Sequence, residues 1–431
     1  MIKQHYYTWT GHGLFRQDAG LDTVAISKGL QKEFVASVLH EHCFYDPPYK
    51  LNEYVTENKD QYPESQIYFR CESGEIVLGR TVFCPKSEQG EDTFFAHNFV
   101  FHSTKIKELF KHFKDSLYID DFTEKHNGVL DLNLPELTRF RFESTSPASE
   151  KPESVLLKFG INERVFKLML LTLMECIEKN RKMYVVLNVK TGKLFEAARE
   201  VLGYVLASLP YSFRKRIGYL TYAGKHTDVN NIHLYFLEKD YAGNVATSAL
   251  NGYLFEFVSN EFKVADDNTD TVFLNYSWEN LIEENQAFFD FIAMISVTET
   301  PNLQFLNEMA ILRQLKGSDN YDLYKKNRLF AMQTINKYAE ARNQFLKPTI
   351  GEIYLKIIEH EARDRRNTGE YFTEAAVMAE IAKYAEIVID NESEEKAVTL
   401  CVDTIVEARE ADHIDYINTF FTSRYPSERR R

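Results

Sequence analysis

Residues 183–223 read MYVVLNVKTGKLFEAAREVLGYVLASLPYSFRKRIGYLTYA. Met183–Val189 is rich in β-branched residues and predicts a strand. Lys193–Ser208 repeats its apolar residues at helical spacing and predicts an amphipathic helix, closed by Leu209-Pro210. Ile217–Tyr222 predicts a second strand, and Ile232–Leu237 and Tyr253–Val258 predict two more. Strand–helix–strand order predicts an α/β or α+β layer. Immediately upstream, Asn162 can cap a helix running from about Glu163 to Lys179.

Further out, the texture changes in both directions. Phe142–Glu153 (FESTSPASEKPE) is poor in apolar residues and rich in Ser, Pro and Glu, the composition of a linker. Before it, Gln4–Thr10, Val24–Ser27 and Phe94–Phe101 predict strands, and Gln66–Cys71 with Glu75–Cys84 predicts a hairpin around Glu72-Ser73-Gly74. Leu30–His42 has helical spacing, and Ser103 predicts a cap for a helix over Lys105–Phe113. Beyond Ser277 the chain predicts six helices: Trp278–Ser296, Asn302–Leu315, Tyr321–Glu340, Ile350–Arg365, Thr373–Ile389 and Glu394–Arg409. The terminal SERRR is too short and polar to pack. The expected fold class is therefore α+β: mixed sheet-containing N-terminal and middle regions, then an all-α helical C-terminal bundle or short solenoid. The expected domains are residues 1–145 (α+β), 155–265 (α/β or α+β) and 275–425 (helical).

The bulk properties bound the function. The chain has 431 residues, 44% of them hydrophobic and 14% aromatic, enough for several packed cores. Its net charge of −13 argues against general nucleic-acid binding, which needs a basic surface, and against anionic membranes. The most apolar run, Val165 to Ile177, is interrupted by Lys167 and Glu175 and is too short for membrane insertion. Five scattered cysteines and an N-terminus without an apolar leader segment predict a cytoplasmic protein.

The chemical motifs fail on spacing. Gly218 to Lys225 (GYLTYAGK) approaches a phosphate loop, but five residues separate its glycines and His226 stands where a hydroxyl should hold Mg²⁺. No GxGxxG is present. His40 and His42 are two residues apart and should point to different sides, so a metal site with Cys43 is not expected; a solvated helix end is the simpler role. A Cys/His pair from Cys43 or Cys84 competes with buried, structural cysteine. Tyr211–Arg216 (YSFRKR) is the one basic island, placed either to cap a helix end or to meet an anionic partner through Arg214, Lys215 and Arg216. No cofactor and no metal is implied.

The N-terminal segments QHYYTWTGHGLFR, VAISKGL, GEIVLGRTVF and FFAHNFVFHS occur in an order that resembles a known family. The relevant residues are Tyr7, Thr8, Gly11, Ser27, Gly29, Leu30, Gly79, Arg80, Phe95, Ala96 and His97. It is the N-terminal domain, of the second type, of bacterial GTPase-associated proteins from multi-gene conflict systems. The stretch from Lys182 to Gly224 is similar to the family's middle region. One departure is Ser87–Thr93 (SEQGEDT), with a single glycine where the family has a Gly/Asn-rich approach. The resemblance implies a non-catalytic adaptor or regulator working beside a separately encoded GTPase and other proteins of an antiviral type of system. It carries no catalytic residue; Arg80 and His97 are the matched polar residues for partner contact, or else structural groups. Two alternatives stand beside it: an enzyme whose site joins Arg80, His97 and a carboxylate, and an activator lending Arg214 or Arg216 to the GTPase as a finger.

Overall fold

A computed structural model describes residues 1–51, 61–84, 93–110, 112–126, 129–144, 150–242, 251–264, 267–285, 302–317, 321–340, 347–368, 374–387 and 391–424. It divides into two compact units, 1–300 and 301–431. The first is built on one sheet. Its strands are β1 (Lys3–Thr10), β2 (Gly20–Ser27), β3 (Ser65–Arg70), β4 (Glu75–Cys84), β5 (Thr93–His102), β6 (Asp131–Leu134), β7 (Met183–Val186), β8 (Tyr219–Ala223), β9 (Leu234–Leu237), β10 (Tyr253–Glu256) and β11 (Glu261–Lys263). They lie in the order β11-β10-β7-β9-β8-β3-β4-β5-β1-β2-β6.

The two halves of this sheet follow different rules. Strands β10, β7, β9 and β8 are mutually parallel. Parallel strands need a crossover, and the helix Leu194–Ser208 supplies it between β7 and β8, which flank β9 in the sheet. Strands β7, β8 and β9 are buried along their whole length, which is why MYVV, YLTYA and LYFL are continuous apolar and aromatic runs rather than alternating ones. Strands β3, β4, β5, β1 and β2 are antiparallel, and the β3–β4 hairpin forms as its spacing predicts.

The halves are spliced where β3 lies antiparallel to β8, with Ile67 opposite Leu220 and Tyr68 opposite Tyr219. The Gln66 N–H donates to Thr221 Oγ1 at 2.7 Å, and Ser65 Oγ donates to the Tyr222 carbonyl at 2.9 Å. One continuous sheet therefore runs past the linker-like stretch at Phe142–Glu153. That stretch is tied down at its start: Phe142 bridges to Ile119, and the Glu143 N–H donates to the Tyr118 carbonyl at 2.8 Å. A polar composition marks a surface path for the chain; it does not by itself separate cores.

Local signals of helix starts are partly realised. Asn162 Oδ1 accepts from the Val165 N–H at 3.0 Å and starts the helix Glu163–Lys179 as predicted. Ser103 is not a cap: His102 Nδ1 accepts from the Thr104 N–H at 3.3 Å, and the helix shrinks to Ile106–Leu109 after a tight turn. The segment after Leu30 is helical but irregular, with a widened turn over Val35–Leu39 that buries Val35 and Leu39. Val272–Ile282, where the helical region was expected to begin, packs instead on the helices Glu163–Lys179 and Leu194–Ser208, and Phe166 meets Trp278 with ring centroids 5.6 Å apart. Its apolar face is claimed by the sheet's own cover.

The second unit contains the helices Leu303–Gly317, Tyr321–Lys326, Arg328–Glu340, Lys347–Thr368, Ala375–Ile387, Asn391–Glu410 and Ile414–Arg424. Tyr321–Glu340 is thus two helices, and Ile414–Arg424 was not foreseen. Ala375–Ile387 is sandwiched between Arg328–Glu340 and Ile414–Arg424, while Lys347–Thr368 packs on Asn391–Glu410, so the helices form two stacked rows. The SERRR terminus lies outside the described residues. Among the described residues no helix is long and apolar enough to cross a membrane.

Candidate functional site

The polar residues of the first unit fall into three groups, and two are committed to the fold. On one face of the sheet, Asn98 Nδ2 donates to His5 Nδ1 and to Cys43 Sγ, each at 3.1 Å. His5 Nε2 lies 2.9 Å from Thr23 Oγ1, which is 2.8 Å from His40 Nε2. A Cβ on Gly79 would sit 2.1 Å from Asn98 Oδ1, so the glycine of the Gly-Arg strand makes room for this amide. Cys43 touches Asn98 rather than a histidine, and burial pushes its thiol up to about 12, which leaves no thiolate at neutral pH.

His40 and His42 do diverge, but neither is a solvated helix end. His40 faces Thr23, and His42 stacks on Phe69 at 3.8 Å with Nδ1 and Nε2 at the carbonyls of Val38 and Asn230. Among the described residues no group of three His, Cys, Asp or Glu side chains could hold a metal ion.

On the opposite face Arg80 and His97 are cross-strand partners. Arg80 Nη2 donates to the Ile119 carbonyl at 3.2 Å and to Glu143 Oε1 at 3.3 Å, and its Nε lies 3.6 Å from Glu64. Arg199 Nη1 donates to the same Glu143 oxygen at 2.8 Å. The guanidinium of Arg80 lies 4.6 Å over Phe122, and that of Arg199 4.6 Å over Phe195. His97 is fully buried; its Nδ1 accepts from the Thr123 N–H at 3.0 Å, which leaves the ring proton on Nε2, enclosed by Tyr6, Phe99 and Phe122. Arg80 and Arg199 do meet carboxylates here, in the packed seam between the sheet and the helix Leu194–Ser208, whereas His97 meets a backbone N–H and aromatic rings.

Burial holds His5, His97 and His233 in their neutral form. Desolvation, with His40 nearby, pushes His5 down to about 3; desolvation, with Arg216 and Lys182, pushes His233 down to about 4. His97 is lowered well below the usual imidazole value by desolvation, then by His5 and Arg80. The unfolded chain binds these protons near pH 6.5 and the folded chain does not, so stability is complete above pH 6.5 and falls as the pH drops toward 4. Each histidine should cost up to about 1.4 kcal/mol per pH unit in that window. Thermal unfolding between pH 7.5 and pH 5 should show a steep loss of Tm; a flat profile would contradict this burial.

The third group faces solvent. Arg214 does not belong to it: its side chain is buried, Nη2 donates to the Ala207 carbonyl at 2.6 Å, and Nε donates to that of Leu209. It closes the C-terminus of the helix Leu194–Ser208, so no guanidinium is left to reach a partner in trans. Arg216 is half-buried over Phe213, with Nε 3.4 Å from the Ser212 carbonyl. Lys215 is accessible. Its Nζ lies 5.1 Å from the centre of the Tyr211 ring, and Lys107 Nζ lies 5.2 Å from the same ring. Partial burial and the like charges of Arg70, Arg216 and Lys107 lower the Lys215 pKa.

Arg70, Lys107 and Lys215 have no carboxylate partner among the described residues. Three separate elements bring them together: the end of β3, the helix Ile106–Leu109 and the turn after Tyr211–Arg214. On a chain of net charge −13, such an unpaired cationic face around an aromatic ring is the feature best placed to meet an acidic partner. Sequence reading found Lys215 and Arg216 through the YSFRKR island and missed Arg70 and Lys107, which carry no local signal.

Residues 1–140 match the family GTPase-associated protein 1, N-terminal domain type 2, and residues 155–259 match GTPase-associated protein 1, middle domain. Together the two matches span more than half of the chain. No curated protein matches it.

Proposed function

Since the chain belongs to the GTPase-associated protein 1 family, we propose that it is a non-catalytic adaptor or regulatory component of a separately encoded GTPase in a bacterial conflict system. In this reading it meets the GTPase through the cationic face formed by Arg70, Lys107, Tyr211 and Lys215. The observation that carries the docking site is the absence of any carboxylate partner for three converging cations among the described residues. Bringing like charges together costs free energy in the isolated protein, and an acidic surface that neutralises them recovers it. Tyr211 adds a flat apolar contact between the two ammonium groups, the kind of side chain that anchors interfaces.

The proposal excludes Arg214 as a finger and gives Arg80 and His97 structural roles. Arg80 Nη2 bonds to the Ile119 carbonyl and to Glu143, and His97 Nδ1 to the Thr123 N–H, all within the first unit. The test is co-purification of the full chain with the GTPase encoded beside it, loaded with GDP and with a non-hydrolysable GTP analogue. A stoichiometric complex weakened by salt is expected. Lys107→Glu with Lys215→Glu should weaken it at least about tenfold, with Tm unchanged because both side chains reach solvent. Failure to recover the complex in either nucleotide state would remove the adaptor reading; a complex indifferent to the charge reversal would remove only the docking site.

A further inference from the structure

The helix Asn391–Glu410 is amphipathic twice over. Ala397, Leu400, Cys401, Thr404 and Ala408 are buried in the second unit. On the opposite side Val398, Val402 and Val406 stand 50%, 52% and 48% exposed. They are spaced i, i+4, i+8, so they form one ridge about 12 Å long. Three half-exposed β-branched residues in register are not the scattered single apolar residues that any surface carries.

The charges on this face are acidic. Glu395, Asp403 and Glu410 are exposed around the valines, and Glu394 is exposed at the N-terminal end. Arg409 is the one cation exposed on the same face among the described residues; Lys396 lies at the edge and pairs with Glu359 at 3.1 Å. A ridge of i±4 side chains fits the groove of another helix. A second copy of this chain would set the acidic flanks against each other, which costs energy.

We infer that this face receives a basic amphipathic helix of a partner protein, with Val398, Val402 and Val406 as the ridge and the surrounding carboxylates meeting lysine or arginine. The partner is recognised by two features at once: apolar residues at i, i+3, i+4, i+7 and cations flanking them. The site belongs to the second unit and the cationic face around Tyr211 to the first, so the helical unit has a binding role of its own.

The experiment uses the full chain and a fluorescent 18-residue model helix of leucine and lysine, with a leucine/glutamate helix as counterpart. The lysine helix should bind, more weakly as salt is raised, and the glutamate helix should not. Val398→Ser with Val402→Ser and Val406→Ser leaves every charge in place and should weaken binding by about tenfold or more. Glu395→Lys with Asp403→Lys keeps the valines and should shift preference toward the glutamate helix. Circular dichroism of each variant checks that the helix persists, and Lys107→Glu with Lys215→Glu should leave peptide binding unchanged. Equal binding by the serine variant overturns the inference. So does a concentration-dependent dimer that the serine variant abolishes, because the occupant is then a second copy.

Discussion

Gly218→Ala is expected to unfold the first unit or to cost it more than about 4 kcal/mol, the range reserved for backbone collisions and lost cores. A Cβ at this position would lie 1.7 Å from the Asn231 carbonyl oxygen and 2.9 Å from the Ile232 Cα. Both neighbours are backbone, so no side-chain rotation relieves the overlap. The same residue fixes the start of two strands. Its carbonyl accepts from the N–H groups of His233 and Leu234 at 2.8 and 3.1 Å, and its N–H donates to His233 Nδ1 at 2.9 Å. Strand β8 is also the splice to β3, so displacing it opens the sheet between its parallel and antiparallel halves. Denaturant unfolding followed by circular dichroism checks this. A variant within about 1 kcal/mol of the parent would show that the Asn231 loop can move away at little cost.

Glu143→Ala carries the second largest expected effect, a loss of about 3 kcal/mol. One carboxylate oxygen serves two guanidiniums, Arg199 at 2.8 Å and Arg80 at 3.3 Å. Both arginine side chains are largely buried, at 14% and 13% exposure, and both lie over the Phe195 ring. Removing the carboxylate leaves two like charges in a poorly solvated seam, with Glu64 at 3.6 Å from Arg80 as the remaining counter-charge. That is the costly way to break a buried pair. Glu143 itself is 30% exposed, which keeps the figure at the lower end of that range. Glu143→Gln retains a hydrogen-bond acceptor and should lose roughly half as much. The midpoint should fall at constant m-value; a Gln variant as stable as the parent would mean that charge is not what holds the seam.

Both predictions concern residues that sequence reading had marked for other reasons or not at all. Gly218 drew attention as the first glycine of a failed phosphate loop. Its actual constraint is the close passage of residues 231–232, thirteen positions later. The family motif behaves in the same way. Gly79 makes room for Asn98, Ser27 Oγ accepts from the Gln4 N–H at 2.8 Å, and Gly29 has a φ of +83°. The short motifs that identify the family hold the sheet together; the exposed cations lie elsewhere.

Properties set by near neighbours were determined by the sequence alone. Period-two and period-3.6 patterns need only a few residues to show which face of a strand or helix is apolar, so strands β7 to β10 and most of the helices are legible. Asn162 caps its helix because its partner is three residues away. The failure of the nucleotide motifs is equally local, since spacing and residue type suffice to reject them. Only the tertiary structure decided what depends on contacts between distant residues. Strand β3 lies beside β8 across a separation of about 150 residues, and nothing in either strand names the other. Arg214 is consumed by the end of the preceding helix, Leu194–Ser208, while Lys215, its neighbour, meets Lys107 and Arg70 around Tyr211. A run of basic residues shows that charge is present; whether it is buried, paired or left unpartnered depends on the fold around it.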